Sequence, residues 1–295
     1  MIEQTRVPLA SGITLNVATI GPAAAPPVLL LHGFPESHRT WTAVAERLGE
    51  KFRLIMPDLR GFGASDRPPD IAAYATDRLI GDIFELADAL SIDRFALVGH
   101  DWGGAIAWAA ALRGDSRIER LGIVNSPHPA IFQRSLIDHP GQRAASQYIN
   151  AFRDPGMEAR VAAMGVDAFF DKSFGRHAML VRIAPADRAA ALADWSRPGA
   201  LTAMFNWYRA SQILVPTVGE TAQMPRWVDA VPKLRIPVQV VWGLDDMALL
   251  PVQLDGIGEV GARVDVVPLK GVGHFAPWQA PDAVADALRP FLMQA

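Results

Sequence analysis

The sequence predicts an α/β fold, a mostly parallel sheet flanked by helices and interrupted by an all-helical insertion, and three observations carry that expectation. Residues 27–31, 54–57, 95–98, 121–124 and 237–242 are short unbroken apolar runs of the kind strands buried on both faces require, with helical spacing between them. Around Asp101 a strand passes into a small-residue helix through Gly99-His100-Asp101-Trp102-Gly103. From residue 130 to 228 the strand signal disappears, a stretch too long for one crossover helix.

In chain order, residues 13–20 alternate as a strand, and 27–31 runs straight into His32-Gly33-Phe34-Pro35, a rigid bend at a strand's carboxyl end. Trp41, Val44 and Leu48 predict a helix over 37–48. The glycines at 61 and 63 lack the third glycine and the GK[ST] of a nucleotide loop. Thr76 is expected to cap a helix reaching about residue 90, with Leu79, Ile80, Ile83 and Leu86 on one face. The insertion reads as helices over 142–153, 157–174, 185–194 and 201–211, broken at Pro155-Gly156 and Arg197-Pro198-Gly199. A last strand over 263–269 and a helix over 281–291 complete the chain. The expected division is a core over 1–129, a helical cap over 130–228 and the rest of the core over 229–295, with the cap above the sheet's carboxyl edge, where open α/β sheets bind ligands.

Composition narrows the chemistry. Lys plus Arg 28 against Asp plus Glu 31 gives a net charge of -3 with no basic cluster, which argues against a nucleic-acid partner. The N-terminal residues lack a signal peptide's basic and apolar regions, and the most apolar later stretch is interrupted by His100 and Asp101; a cytoplasmic protein without a membrane partner is expected. There is no cysteine, so covalent chemistry falls to oxygen or nitrogen.

Glycines two residues either side of Asp101 mark a turn sharp enough to thrust that side chain above the sheet. An Asp here can also cap the following helix, but a cap does not account for both glycines. A carboxylate is already ionised at pH 7 and can attack an electrophilic carbon without prior deprotonation. An acid after one strand (Asp245 or Asp246) and a histidine after the next (His274) stand in the order nucleophile, acid, histidine, and of the seven histidines only His274 holds that place.

HGFP at His32, GHDWGG at Gly99, WGLDD at Trp242 and GHF at Gly273 together resemble the α/β-hydrolase-fold epoxide hydrolases over nearly the whole chain. The resemblance implies Asp101 as nucleophile, His274 as base and Asp246, which matches the family's WGxxD position better than Asp245, as the supporting acid. It implies the Phe34 and Trp102 N–H groups as oxyanion donors. Two of the three tyrosines, Tyr148 and Tyr208, lie in the insertion in settings similar to those of the paired cap phenols that activate the epoxide oxygen. Phenols suit an alkoxide leaving group: with water as a stand-in for the alcohol, proton transfer from tyrosine is favourable by roughly 6 pKa units, on the order of 8 kcal/mol. Phe34, Trp102, Phe152 and Trp207 are the expected apolar contacts to substrate. The implied reaction consumes a small epoxide and water, in the manner of a detoxification enzyme, without metal or organic cofactor, and leaves a homodimer open.

The elbow is shared with haloalkane dehalogenases, the alternative reading, many of which place asparagine where Phe34 stands to hold halide alongside the elbow tryptophan; Trp195 or Trp207 offers a substitute donor. Fluoroacetate-type dehalogenases have arginine at the Trp102 position. Outside catalysis, some relatives are binding proteins.

Overall fold

The computed structural model describes residues 2–178 and 183–294. Its strands are β1 (Glu3–Pro8), β2 (Thr14–Ile20), β3 (Pro27–Leu31), β4 (Arg53–Pro57), β5 (Phe95–His100), β6 (Ile118–Val124), β7 (Val238–Gly243) and β8 (Val264–Leu269). They form one sheet in the order β1-β2-β4-β3-β5-β6-β7-β8. The first two pairings, β1 with β2 and β2 with β4, are antiparallel; all later ones are parallel.

Alternation explains why the central strands read as continuous apolar runs. Leu29, Leu31, Ile55 and Leu97 enter the core on one face of the sheet, and Val28, Leu30, Leu54, Met56 and Val98 enter the other. The first face is covered by α2 (Thr76–Ala89) and α3 (Asp101–Leu112). The second is covered by α1 (Thr42–Leu48) and α12 (Pro281–Leu292).

Between β6 and β7 lie α4 (Pro129–Asp138), α5 (Pro140–Ala145), α6 (Gln147–Arg153), α7 (Met157–Met164), α8 (Val166–Ala178), α9 (Pro185–Trp195) and α10 (Ala200–Ala210); α11 (Ala276–Gln279) precedes α12. The insertion is pinned to the loops at the carboxyl ends of β3 and β4. Trp195 donates its indole N–H to Pro35 O (3.1 Å), Trp207 donates to Arg60 O (2.9 Å), and Asp194 pairs with Arg39 (2.8 Å). No helix among the described residues is long and apolar enough to cross a membrane.

Several elements depart from the sequence expectation. The helix expected over 157–174 is two, parted by Gly165 at φ +87°, and the one expected over 142–153 is divided at Ser146. Thr76 is the first residue of α2 rather than its cap; Ala75 precedes it and makes no side-chain capping bond. β1, almost wholly exposed on the sheet's edge, and α4 were not foreseen.

The centre of the sheet ends in a close approach of backbones. A Cβ on Gly99 would fall 2.4 Å from Gly103 O and 2.6 Å from Gly104 Cα, both main-chain atoms that cannot swing aside. Gly99→Ala should therefore cost on the order of 3 kcal/mol or more and lower Tm by about 5 °C or more. A circular-dichroism melt within about 1 °C of the unaltered protein would contradict this packing.

Candidate active site

Asp101 stands where β5 becomes α3, at φ +49°, a left-handed conformation that polar Asp and Asn tolerate better than most residues. Its main-chain carbonyl accepts the Ser126 hydroxyl (2.7 Å). Oδ1 accepts the Phe34 N–H (2.8 Å), while Oδ2 lies 3.4 Å from His274 Nε2. No bond from the Trp102 N–H to this carboxylate is present among the described residues. Gly33 brings the Phe34 amide within reach: a Cβ on it would lie 2.4 Å from Asp101 Cβ. The same loop is held by buried His32, whose Nδ1 faces Gly33 O (2.8 Å) and whose Nε2 accepts the Leu59 N–H (2.9 Å).

On its other side the His274 ring donates from Nδ1 to Asp246 Oδ2 (2.7 Å). Asp246 Oδ1 accepts the Ala248 and Leu249 N–H groups (2.9 and 2.8 Å), and Oδ2 also accepts from Asn125 Nδ2 (2.9 Å). Asp245, next door, is exposed. The structure thus places Asp246 beside His274 and leaves Asp245 in solvent.

Burial opposes charge on all three groups, and the neighbours outweigh it. Asp101 is partly buried, which alone would raise its pKa, yet the His274 hydrogen bond and charge, helped by His100 and the Phe34 N–H, hold it below the ordinary 3.8. For Asp246, burial is likewise overcome by the His274 charge and hydrogen bond and by the Leu249 and Asn125 donors. Burial pulls the His274 pKa down, but the Asp246 charge and the bonds to both carboxylates carry it well above 6.5. This aspartate–imidazole–aspartate line can present an ionised carboxylate to an electrophile and a hydrogen-bonded ring to water.

A cavity of about 550 Å³ opens between the insertion and the sheet's carboxyl edge, lined by Phe34, Asp101, Tyr148, Phe152, Tyr208 and His274 among others, within the usual range for small-molecule sites. The Tyr148 and Tyr208 rings are 6.2 Å apart. Burial raises both phenol pKa values, and the Asp101 charge raises them further, so both remain protonated donors. The gap to an alkoxide is accordingly narrower than an unperturbed tyrosine would give. Of the expected apolar contacts, Phe34 and Phe152 line the cavity; Trp102 and Trp207 do not. Trp207 is instead a buried strut, its N–H spent on Arg60 O.

Three neighbours went unforeseen. Asn125, at φ +43° after β6, joins Asp246 to the Gly243 amide, whose N–H it accepts at 2.9 Å. His100 Nε2 donates to His274 O (2.9 Å), and its Nδ1 lies 2.8 Å from Glu36 Oε2. Glu36 also accepts the Gly33 N–H (3.1 Å) and the Trp278 indole N–H (2.9 Å). Burial pushes the Glu36 carboxyl up, but the charge and hydrogen bond of His100 bring it net below 4.5. The pair ties the loop carrying the Phe34 amide to the loop carrying His274. Only the placement of Glu36 directly after HGFP and of His100 directly before Asp101 hinted at this.

The family model of the alpha/beta hydrolase fold matches residues 26–281. The AB hydrolase superfamily protein YfhM of Bacillus subtilis is 35% identical over 81% of this chain and 80% of its own length, and epoxide hydrolase 3 of Mus musculus is 29% identical over 96% and 74%. A solved structure described among novel epoxide hydrolases of the alpha/beta hydrolases superfamily in metagenomes from hot environments is 46% identical, with TM-score 0.90 and full coverage of both chains. The Bacillus megaterium epoxide hydrolase solved with an inhibitor is 26% identical, with TM-score 0.82 over 99% of this chain and 100% of that one.

Because its folded pKa is depressed, Glu36 contributes stability that is present above pH 4.5 and lost as pH falls through the folded value. In that acid window the unfolded chain binds one more proton at this site. Glu36→Gln should reduce the slope of unfolding free energy against pH there by up to about 1.4 kcal/mol per unit, measured by urea unfolding across the window; an unchanged slope would show that the folded pKa of Glu36 is not depressed.

Proposed function

Because this chain belongs to the α/β-hydrolase fold family, we propose that it hydrolyses a small apolar epoxide to a vicinal diol through an ester on Asp101. The observation that carries the reading is the convergence of Asp101, His274, Tyr148 and Tyr208 on one largely apolar cavity. Relatives named as epoxide hydrolases at 29% and 46% identity support the substrate class. In this reading the helices over 130–228 act as a cap that shields the cavity from water and supplies the phenols.

The epoxide oxygen accepts hydrogen bonds from Tyr148 and Tyr208. Of the Asp101 oxygens, Oδ1 is held by the Phe34 N–H at 2.8 Å and Oδ2 faces His274 at the looser 3.4 Å, so Oδ2 attacks a ring carbon from the side opposite the phenols. The carbon–oxygen bond breaks, its electron pair takes a phenolic proton, and a hydroxyalkyl ester forms. Oδ1 is then the ester carbonyl oxygen, already in contact with the donor that stabilises an oxyanion. His274 next takes a proton from water, and the hydroxide attacks the Asp101 carbonyl carbon. Collapse expels the second diol oxygen, protonated by His274. The regenerated Asp101 carboxyl ionises, and its proton, exchanged through solvent, restores the phenol.

His274→Gln should accumulate the ester, visible by mass spectrometry as a protein heavier by one molecule of styrene oxide, while Asp101→Asn should form none. For the unaltered enzyme, kcat/KM should stay level as pH falls to about 5, because the Asp101 pKa lies below 3.8 and the carboxylate remains ionised throughout. Full turnover by the histidine variant would contradict the two-step scheme.

A further inference from the structure

The two oxygens of Asp246 are held in different ways. Oδ2 faces the ring of His274 (2.7 Å), and Oδ1 accepts the N–H groups of Ala248 and Leu249 (2.9 and 2.8 Å). The aim of the carboxylate therefore depends on where those two backbone groups stand. The peptide unit joining Ala248 to Leu249 is planar, with its carbonyl and its N–H pointing in opposite directions. Its N–H is a donor to Asp246, and its carbonyl accepts Gln142 Nε2 (2.8 Å).

Gln142 belongs to α5, near the start of the helical insertion, and is fully buried. It is not part of the cavity lining. Its Oε1 accepts the Leu250 N–H (2.8 Å) and Gln253 Nε2 (3.0 Å), and its Nε2 also donates to Ser146 Oγ (2.8 Å). With the bond to Ala248 O, two donors and two acceptors are engaged, the full capacity of a side-chain amide. The Leu250 N–H can only donate and the Ala248 carbonyl can only accept, so the backbone itself fixes which end of the amide is oxygen. One side chain thus grips residues 248–250 at two points. A carbonyl that accepts a hydrogen bond also leaves the N–H of the same peptide a stronger donor. The line from Gln142 through that peptide to Asp246 and on to His274 is unbroken.

We propose that Gln142 is a positioning residue for Asp246: by holding the peptide between Ala248 and Leu249, it keeps Oδ1 anchored and Oδ2 aimed at His274. Gln142 comes from the insertion and Asp246 from the loop after β7, so the base is fully assembled only when the insertion is seated. The inference rests on the proposed two-step reaction, in which Asp246 serves His274 during ester hydrolysis and takes no part in ester formation.

The test is Gln142→Met, which keeps the length of the side chain and gives up its N–H donors and carbonyl acceptor, followed through a single turnover with styrene oxide. Ester hydrolysis should slow about 10- to 100-fold, the scale of a displacement of about 1 Å in a group that serves the chemistry, while ester formation keeps its rate. Ser146→Ala, which removes one partner of Gln142 and leaves both bonds to residues 248–250, should keep both rates. Unchanged hydrolysis in Gln142→Met, equal slowing of both steps, or an equal loss in Ser146→Ala would overturn the proposal. In ¹⁵N-labelled protein the His274 Nδ1 resonance should move in Gln142→Met and stay in place in Ser146→Ala; an unmoved resonance in Gln142→Met overturns the proposal as well. The Leu250 amide of the unaltered protein, bonded to Gln142 Oε1, should be protected from hydrogen exchange, and rapid exchange there overturns the proposal even where Gln142→Met does not fold. If the unaltered protein forms no ester, the hydrolase reading is what has failed, and the resonance and the exchange rate still decide the role of Gln142.

Discussion

The structure depends on one close approach of backbones at the end of β5. Gly99 lies against Gly103 and Gly104, and Gly33 lies against the Asp101 side chain, both at separations that leave no room for a Cβ. These contacts hold Asp101 at positive φ, a strained conformation for a residue with a side chain, costing on the order of 1–3 kcal/mol. The surrounding sheet, buried on both faces, offsets that strain. In return the carboxylate projects above the strand ends, beside a loop amide that is already in hydrogen-bond contact with it.

The second consequence is electrostatic. The elbow gathers Asp101, Asp246, His274, His100 and Glu36 into a region with little access to water, where an unpaired charge would cost several kcal/mol. Each carboxylate accepts at least one backbone N–H and also faces an imidazole. Asn125 and Trp278 supply further donors to Asp246 and Glu36. Paired in this way, the carboxylates keep low pKa values in spite of burial. The buried charges also join three loops: removing one partner would leave another charge uncompensated, so the network fixes the mutual positions of the Phe34 amide, Asp101 and His274.

Much of this was legible in the sequence because it is written in local patterns. Doubly buried parallel strands are continuous apolar runs, and the elbow needs glycines at fixed offsets; Asp101 and Asp246 follow strands that such runs predict, and His274 follows the strand expected over 263–269. The unread parts depend on packing between distant segments. Nothing local to Glu36 shows that it meets His100 across 64 positions, and nothing near Trp207 shows that its N–H is taken by Arg60 O, which turns an expected substrate contact into a strut. β1 escaped notice because an exposed edge strand lacks the apolar run that marks a central one. The division of the insertion's helices at Ser146 and Gly165 likewise depends on how they turn over the sheet.

The same electrostatics would order the two chemical steps proposed for this site. In the free enzyme the His274 pKa stands well above its ordinary value, opposed by burial but supported by the charge of Asp246 and by both the hydrogen bond and the charge of Asp101. A ring so shifted holds its proton more tightly than an ordinary imidazole. Formation of the proposed ester removes the Asp101 charge and takes the Oδ2 acceptor into a covalent bond, while the burial that disfavours imidazolium is unchanged. Of the supports, Asp246 remains, and the proton on His274 is held less tightly at the point in the cycle where water must be deprotonated. In the proposed cycle the nucleophile, by being consumed, releases the base, and a cavity that keeps water from His274 before alkylation would lose little, since the ring would have no use for water until the ester exists.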